Sequence, residues 1–192
     1  MTQYEGKVFV FGDDVNTDYI ISSRRKRDTL DLGVLKQYIM EDIRPGFFSE
    51  LDGVTIIAAG ENFGCGSAME VAAQVMFANN IPVILAKSFA RSYFRNCVNN
   101  GVLPVEMDTG DIAEGDNLQI AMEKDEILVR NLTAGTVMRR PGFEGVVMEI
   151  LECGGIVPYV RKRHELKLDE ADRTAAVDNV RYTYDGVFSR LL

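Results

Sequence analysis

Ala59-Gly-Glu-Asn-Phe-Gly-Cys-Gly-Ser-Ala-Met-Glu-Val-Ala-Ala73 runs from the end of one apolar stretch, through three glycines, into a second apolar pattern. The run before it, Val54-Thr-Ile-Ile-Ala58, is short, β-rich and bounded by Asp52-Gly53 and Gly60, which predicts a buried strand. Behind it, Ala68 to Asn79 places Val71, Val75 and Met76 on one face of a predicted helix. Gly60, Gly64 and Gly66 let the backbone of the intervening turn approach a neighbour closely. Ser67 followed by Glu70 matches the S-x-x-E capping box. A helix start also offers free N–H groups and partial positive charge, so the turn is suited to an anion beside a serine hydroxyl. The plainer reading of the same residues is a capped, tight strand-to-helix junction.

The flanking chain repeats this pattern. Lys7 to Phe11 reads as a strand, and Gly12-Asp-Asp-Val-Asn-Thr-Asp18 as a turn capped by its own side chains, lacking calcium-loop spacing. Ile20-Ile-Ser-Ser-Arg-Arg-Lys-Arg-Asp-Thr29 carries four consecutive cations and reads as a solvated loop. Leu32 to Ile43 reads as one helix with Leu32, Leu35, Ile39 and Ile43 on its inner face. Further strands are predicted at Ile81 to Ala86 and Leu103 to Met107, with a helix from Ser88 to Asn99 between them. The series is β-α-β-α-β, expected to form a parallel sheet with right-handed crossovers. Asn117 to Met122 and Glu126 to Leu132 read as an antiparallel hairpin, and Glu144 to Cys153 as a helix. Ile156 to Val160 then extends to the basic close Arg161-Lys-Arg163. The domain is expected to span 1–163, with 164–192 a charged, then apolar, C-terminal extension that packs on a partner.

Composition narrows the function. The chain has 192 residues, 46% hydrophobic and 26% charged, with net charge −8. The negative balance argues against nucleic acid and anionic membranes. No run approaches a membrane span and the first residues are not a signal peptide, so a cytoplasmic location is expected. Cys65, Cys97 and Cys153 are widely spaced and there is one histidine, His164, so neither a zinc site nor a disulfide framework is expected. Each cysteine reads as a small apolar residue. No metal is assigned to this chain.

Several strings in order then carry a resemblance: Gly12-Asp-Asp-Val-Asn-Thr-Asp-Tyr-Ile-Ile21, Asn62-Phe-Gly-Cys-Gly-Ser67, Ile81 to Arg91, Tyr93-Phe-Arg-Asn96, Gly101-Val-Leu-Pro104 and Gly154-Gly-Ile-Val-Pro-Tyr159. Across about residues 5–163 the chain resembles the small subunits of the 3-isopropylmalate dehydratase (isopropylmalate isomerase) family of the aconitase superfamily. The resemblance implies an α/β swivelling β/β/α three-layer domain like the aconitase C-terminal domain, with the parallel β-α-β-α-β segment and a further mixed sheet. It implies a heteromeric hydro-lyase, inactive without its large subunit, that acts on a 2-hydroxy di- or tricarboxylic acid in branched-chain amino acid (leucine) biosynthesis or a related route. It also implies a [4Fe–4S] cluster on the large subunit and no cofactor on this chain. Ser67 aligns with the serine that abstracts or returns the proton α to a carboxylate, and the adjoining amides of Gly66 and Ala68 with its cradle.

Two departures bear on substrate. The family reads G-S-S-R-E-H-A where this chain reads Gly66-Ser-Ala-Met-Glu-Val-Ala72, so Met69 stands in place of a carboxylate-clamping arginine and Val71 in place of a histidine. The family also reads I-I-P-x-R-Y-L where this chain has Ile20-Ile-Ser-Ser-Arg-Arg-Lys26. Arg24 matches the family arginine, while Arg25 and Lys26 replace the tyrosine and leucine of the specificity loop. Arg24, Arg25, Lys26, Gly66, Ala68 and Met69 are therefore expected to bind substrate. An isopropyl group is a poor guest for two cations, so acids of the dimethylmalate, citramalate, malate or homocitrate kind are candidates. The alternative role for the cations is to meet an acidic partner surface. The alternative function is a non-catalytic subunit that caps or regulates an iron–sulfur protein, or a stand-alone anion-binding module. Self-association of the lone chain stays open.

Overall fold

A computed structural model of the protein describes residues 2–123 and 126–164. The chain begins with strand β1 (Thr2–Val10), short helices α1 (Thr17–Ile20), α2 (Ser23–Asp28) and α3 (Leu32–Leu35), a 3₁₀ turn at Lys36–Tyr38, and α4 (Phe47–Glu50). It continues through β2 (Thr55–Ala59), α5 (Glu70–Ala78), β3 (Val83–Ala86), α6 (Arg91–Asn99) and β4 (Leu103–Glu106). Three antiparallel strands follow, β5 (Asn117–Met122), β6 (Glu126–Asn131) and β7 (Thr136–Pro141), then helices α7 (Val146–Glu152) and α8 (Ile156–His164).

The strands form one seven-stranded sheet in the order β4-β3-β2-β1-β5-β6-β7. β1 to β4 are mutually parallel, as the strand–helix alternation predicts. The mixed portion expected from the hairpin is continuous with this half, because β1 pairs antiparallel with β5 from Thr2 to Lys7. That pairing explains why β1 starts five residues before the predicted strand: its N-terminal half is stabilised by partners over a hundred residues away, which local pattern does not reveal.

β2 and β3 are buried along their whole length, and alternate side chains feed two separate cores. Phe9, Ile57, Ala59, Ile84 and Ala86 face a core with Leu35, Ile39, Phe47, Val75 and Met76. Val8, Ile56, Ala58, Val83 and Leu85 face a second, with Val98, Leu118, Ile120, Val129 and Ile150. Full burial of each such aliphatic side chain contributes about 1.5–3 kcal/mol before entropy is subtracted.

Four local expectations are corrected. The predicted helix from Leu32 to Ile43 stops after α3 and the 3₁₀ turn, because Met40 adopts φ 55° and donates its N–H to Ile20 at 2.9 Å. The cation run is not a loop but helix α2, capped by Ser22, whose hydroxyl accepts from the Arg24 N–H at 3.3 Å. Residues 156–160 are not extended but helical. Pro158 falls in the first turn, where its missing N–H is no loss. Strand β7 was not anticipated: it is an edge strand, exposed along most of its length, with no alternation to mark it. The proposed tail from 164 starts inside α8 with His164, and its remainder lies outside the described residues.

The glycines of the Ala59–Ala73 segment do permit close approach, and the thing approached is the protein itself. A Cβ built on Gly64 (φ 78°) falls 2.1 Å from the Tyr93 ring, itself 1% exposed. Gly64→Ala is therefore expected to destabilise the fold by at least ~2 kcal/mol. Gly46→Ala, at φ 85° with open space around the added carbon, should cost only about 1 kcal/mol. Chemical denaturation of both variants checks this, and equal losses would contradict it.

Candidate active site

The C-terminal ends of β1, β2 and β3 lie side by side, the edge at which open α/β sheets bind ligands. Beyond those ends the three connecting segments stay hydrogen-bonded to one another. From the β1 side, Asp14 N donates to Glu61 O, Gly64 N to Val15 O and Thr17 N to Cys65 O, each at 2.8 Å. From the β3 side, Phe63 N donates to Ser88 O at 3.0 Å and Ala90 N to Phe63 O at 2.9 Å. Side chains reinforce the junction: Asp13 accepts from Glu61 N at 2.7 Å, and Asp14 from the Asn62 amide at 2.7 Å. Phe63 packs beneath against Tyr93 and Phe89, with ring centroids 5.6 and 6.0 Å apart. The acidic Gly12–Asp18 segment is thus a side-chain-capped turn, as its sequence indicates; Asn16 caps Asp18 N at 2.9 Å.

Ser67 sits at the crest of this junction. Gly66, Ser67 and Ala68 are exposed, whereas Phe63 and Gly64 below them are buried. Gly66 has φ 90°, and a Cβ there would fall 2.5 Å from the Asn16 amide, so only glycine allows the chain to turn outward at this point. The Thr17 hydroxyl, 1% exposed, donates to the Ser67 carbonyl at 2.8 Å.

The capping box is not formed. α5 begins at Glu70, its N-cap is Met69 with φ −112° and ψ 108°, and no side chain caps it. The serine carbonyl is held by Thr17 instead, and Ser67 stands two residues ahead of the cap. The helix start still lies next in the chain, with Glu70 in its first turn.

The expected substrate residues separate into four groups. Gly66 and Ala68 share the exposed crest with Ser67. Met69 is 6% exposed and belongs to the core, so its side chain does not stand at the surface as an arginine there would. Lys26 reaches it: the ammonium lies against the Met69 sulfur, and the Ser23 hydroxyl is 4.0 Å from the same atom. Arg25 is occupied elsewhere. Its Nε and Nη2 donate to the two Glu41 carboxylate oxygens at 2.7 and 2.9 Å, and its guanidinium stacks 3.8 Å from the Tyr38 ring centroid. The hydrogen bond from Arg25 holds the Glu41 carboxyl below its ordinary range. Arg24 is exposed on the first turn of α2.

Sequence reasoning missed Thr17, Tyr38 and Glu41. Thr17 lay in plain view in the Asn16-Thr-Asp18 string, but nothing local says that its hydroxyl reaches a carbonyl fifty residues on.

Burial raises the Cys65 thiol, with Asp14 adding to the effect, and burial raises Cys97 much further. Among the described residues no group of three or more His, Cys, Asp or Glu is placed to hold a metal. A cleft of about 480 Å³ lies on the other side of the Gly12–Val15 segment, bordered by Phe11, Tyr19, Ile43 and Arg44, and contains none of the expected site residues. Among the described residues no helix is long and apolar enough to cross a membrane.

The stretch that carries β2, the glycine turn with Ser67, β3 and β4 is matched by a family profile described as the aconitase C-terminal domain, over residues 48–110. Whole-chain relatives extend the match. The methanogen homoaconitase small subunit of Methanothermobacter thermautotrophicus is 43% identical over 157 residues, covering 82% of this chain and 90% of that protein. The 3-isopropylmalate dehydratase small subunit of Metallosphaera sedula is 38% identical over 160 residues, covering 82% and 96%. The crystal structure of 3-isopropylmalate dehydratase from Methanocaldococcus jannaschii matches with a TM-score of 0.79 at 35% identity, over 86% of this chain and 98% of that one. The chain belongs to the aconitase-superfamily family of small subunits that includes those of 3-isopropylmalate dehydratase and homoaconitase.

Thr17→Val should weaken the crest by about 0.5–1.5 kcal/mol, the net worth of the lost hydrogen bond. Amide hydrogen exchange should quicken at Cys65 to Met69 and not in β3, while Thr17→Ser stays close to the parent. Uniform quickening across the sheet would contradict a local role.

Proposed function

We propose that this chain is the small subunit of a heteromeric hydro-lyase acting on a 2-hydroxy di- or tricarboxylic acid, and that Ser67 is its proton-abstracting base. The supporting observation is the exposed Ser67 crest, rigidly seated at the sheet edge but open to solvent on its outer side. A seat that is fixed and uncovered suits a half-site that a second subunit completes. The relatives named above are themselves small subunits, which supports a large-subunit partner.

The chemical need follows from the substrate class. A C–H beside a carboxylate is a poor acid, so negative charge must be stabilised as it develops. A serine hydroxyl becomes a useful base only where dipoles and cations lower its pKa. The amides at the start of α5 are this chain's contribution to that field. Loss of hydroxide needs a Lewis acid, which this chain's three scattered cysteines do not fit: Cys97 is fully buried and the others are isolated. That chemistry is assigned to a [4Fe–4S] cluster on the large subunit. An enzyme of leucine biosynthesis or a related route accords with the relatives' names, and its location is proposed to be the cytoplasm.

Within this class the two kinds of relative diverge, one named for 3-isopropylmalate and the other a homoaconitase. The cations of α2 favour an acid with an anionic side group, such as homocitrate, over one with an isopropyl group. The second reading, a non-catalytic subunit, draws on the burial of Met69 where the family's clamp would be.

Reconstitution with the cognate large subunit decides between them. Turnover of one of these acids is expected, and Ser67→Ala should lower kcat by about 10²–10⁴-fold, the usual worth of a positioned base, with complex formation unchanged. Undiminished turnover in Ser67→Ala would remove the serine from the mechanism. A stable complex inert towards every hydroxy acid would favour the non-catalytic reading.

A further inference from the structure

Helix α2 is held in an unusual way. It has six residues and buries none of them, so neither its length nor an apolar face fixes it. Its position rests on polar ties at two points. At its start Asp18 accepts from the Ser23 N–H at 3.0 Å and from the Ser23 hydroxyl. In its middle the Arg25 fork grips Glu41, with Tyr38 beneath the guanidinium, and Lys26 lies against the Met69 sulfur. Glu41 and Tyr38 both come from the segment just after α3, which is itself anchored: Met40 N donates to Ile20 O at 2.9 Å, and Met40 and Ile39 are buried.

A planar guanidinium gripped at two nitrogens and stacked on a ring sets the rotation of the helix as well as its place. Arg25 and Lys26 are consecutive, so they point about 100° apart around the helix axis. With Arg25 turned towards Glu41, Lys26 is turned towards Met69, where its ammonium is found. Among the described residues Lys26 forms no ion pair with a carboxylate. Its charge is therefore not neutralised by a carboxylate among the described residues, and it lies beside Met69, two residues on from Ser67.

We propose that Glu41 is a positioning residue for substrate selection: by gripping Arg25 it aims Lys26 over Met69, and that aimed ammonium selects an acid with an anionic side group. This rests on the hydro-lyase reading above, and assigns Arg25 to the scaffold rather than to the substrate. Glu41 touches no reacting atom.

Two arms test it separately. The first needs only this chain. Trypsin cuts after Arg and Lys, and the Arg24–Arg27 run reports directly on how firmly α2 is seated. Glu41→Ala should speed cleavage in that run by about tenfold, the effect of losing a charge-assisted fork, with cleavage elsewhere unchanged. Arg25→Lys, which keeps the charge but not the fork, should shift it the same way, and this serves if Glu41→Ala folds poorly. Unchanged cleavage in both variants overturns the positioning role, whatever the substrate.

The second arm uses the reconstituted pair with homocitrate and 3-isopropylmalate as probes. Glu41→Ala should raise KM for homocitrate by about tenfold, leave kcat within about twofold, and change 3-isopropylmalate turnover little. Lys26→Met should do the same, and the double variant no more than either alone, because both act through one ammonium. Equal losses on both acids would mean a merely structural role and overturn the proposal. So would a parent pair that prefers 3-isopropylmalate. A parent pair inert to both acids would sink the hydro-lyase reading instead, and the proteolysis arm would still decide whether Glu41 seats α2.

Discussion

The Gly12–Thr17 segment clasps the turn that carries Ser67, and the rest of the site depends on that clasp. Three backbone hydrogen bonds of 2.8 Å and one buried hydroxyl join it to residues 61–67. Without them the chain leaving β2 would have no reason to rise at Gly66 and present Ser67 outward. The same clasp fixes the other half of the site, because α1 and α2 follow directly from Thr17. One set of bonds therefore places both the hydroxyl and the cations. They lie at the ends of parallel strands whose side chains are buried on both faces, the stiffest part of the sheet. A catalytic group on a loop is usually mobile; here the loop is effectively an extension of the sheet.

Much of this could be read from residue order. The buried strands β2 to β4 were legible because continuous apolar runs bounded by glycine and proline have few other solutions. The serine turn was legible because Gly60, Gly64 and Gly66 cluster where a strand pattern becomes a helical one. What was not legible depended on partners distant in the chain. A capping box is a local motif, but a threonine fifty positions earlier holds the serine's carbonyl and the helix starts at Glu70. The 32–43 segment has a helical pattern, yet a bond from Met40 to Ile20 breaks it. The cation run was judged by charge alone, which cannot show that Glu41 and Tyr38 convert one of its arginines into an anchor.

The charge distribution has functional sense at two scales. The chain is acidic overall, with net charge −8, and that disfavours polyanions. Close to the site α2 adds the cations Arg24, Lys26 and Arg27 beyond the paired Arg25. A small anionic acid is attracted locally while large polyanions are repelled globally. The reactive inventory is also divided. This chain offers a hydroxyl, amides and cations, whereas burial raises the Cys65 and Cys97 thiols. Under the proposed function this chain handles the proton and recognition, and the departure of hydroxide falls to the large subunit.

The most direct measurement is a crystal structure of the reconstituted pair with a non-reacting substrate analogue bound. The account predicts Ser67 Oγ within about 3 Å of the carbon that loses the proton or of its hydrogen's position, with Lys26 on the analogue's side-group carboxylate. An analogue seated across the interface with the Ser67 crest turned away, covered by large-subunit surface and out of reach of that carbon, would contradict it.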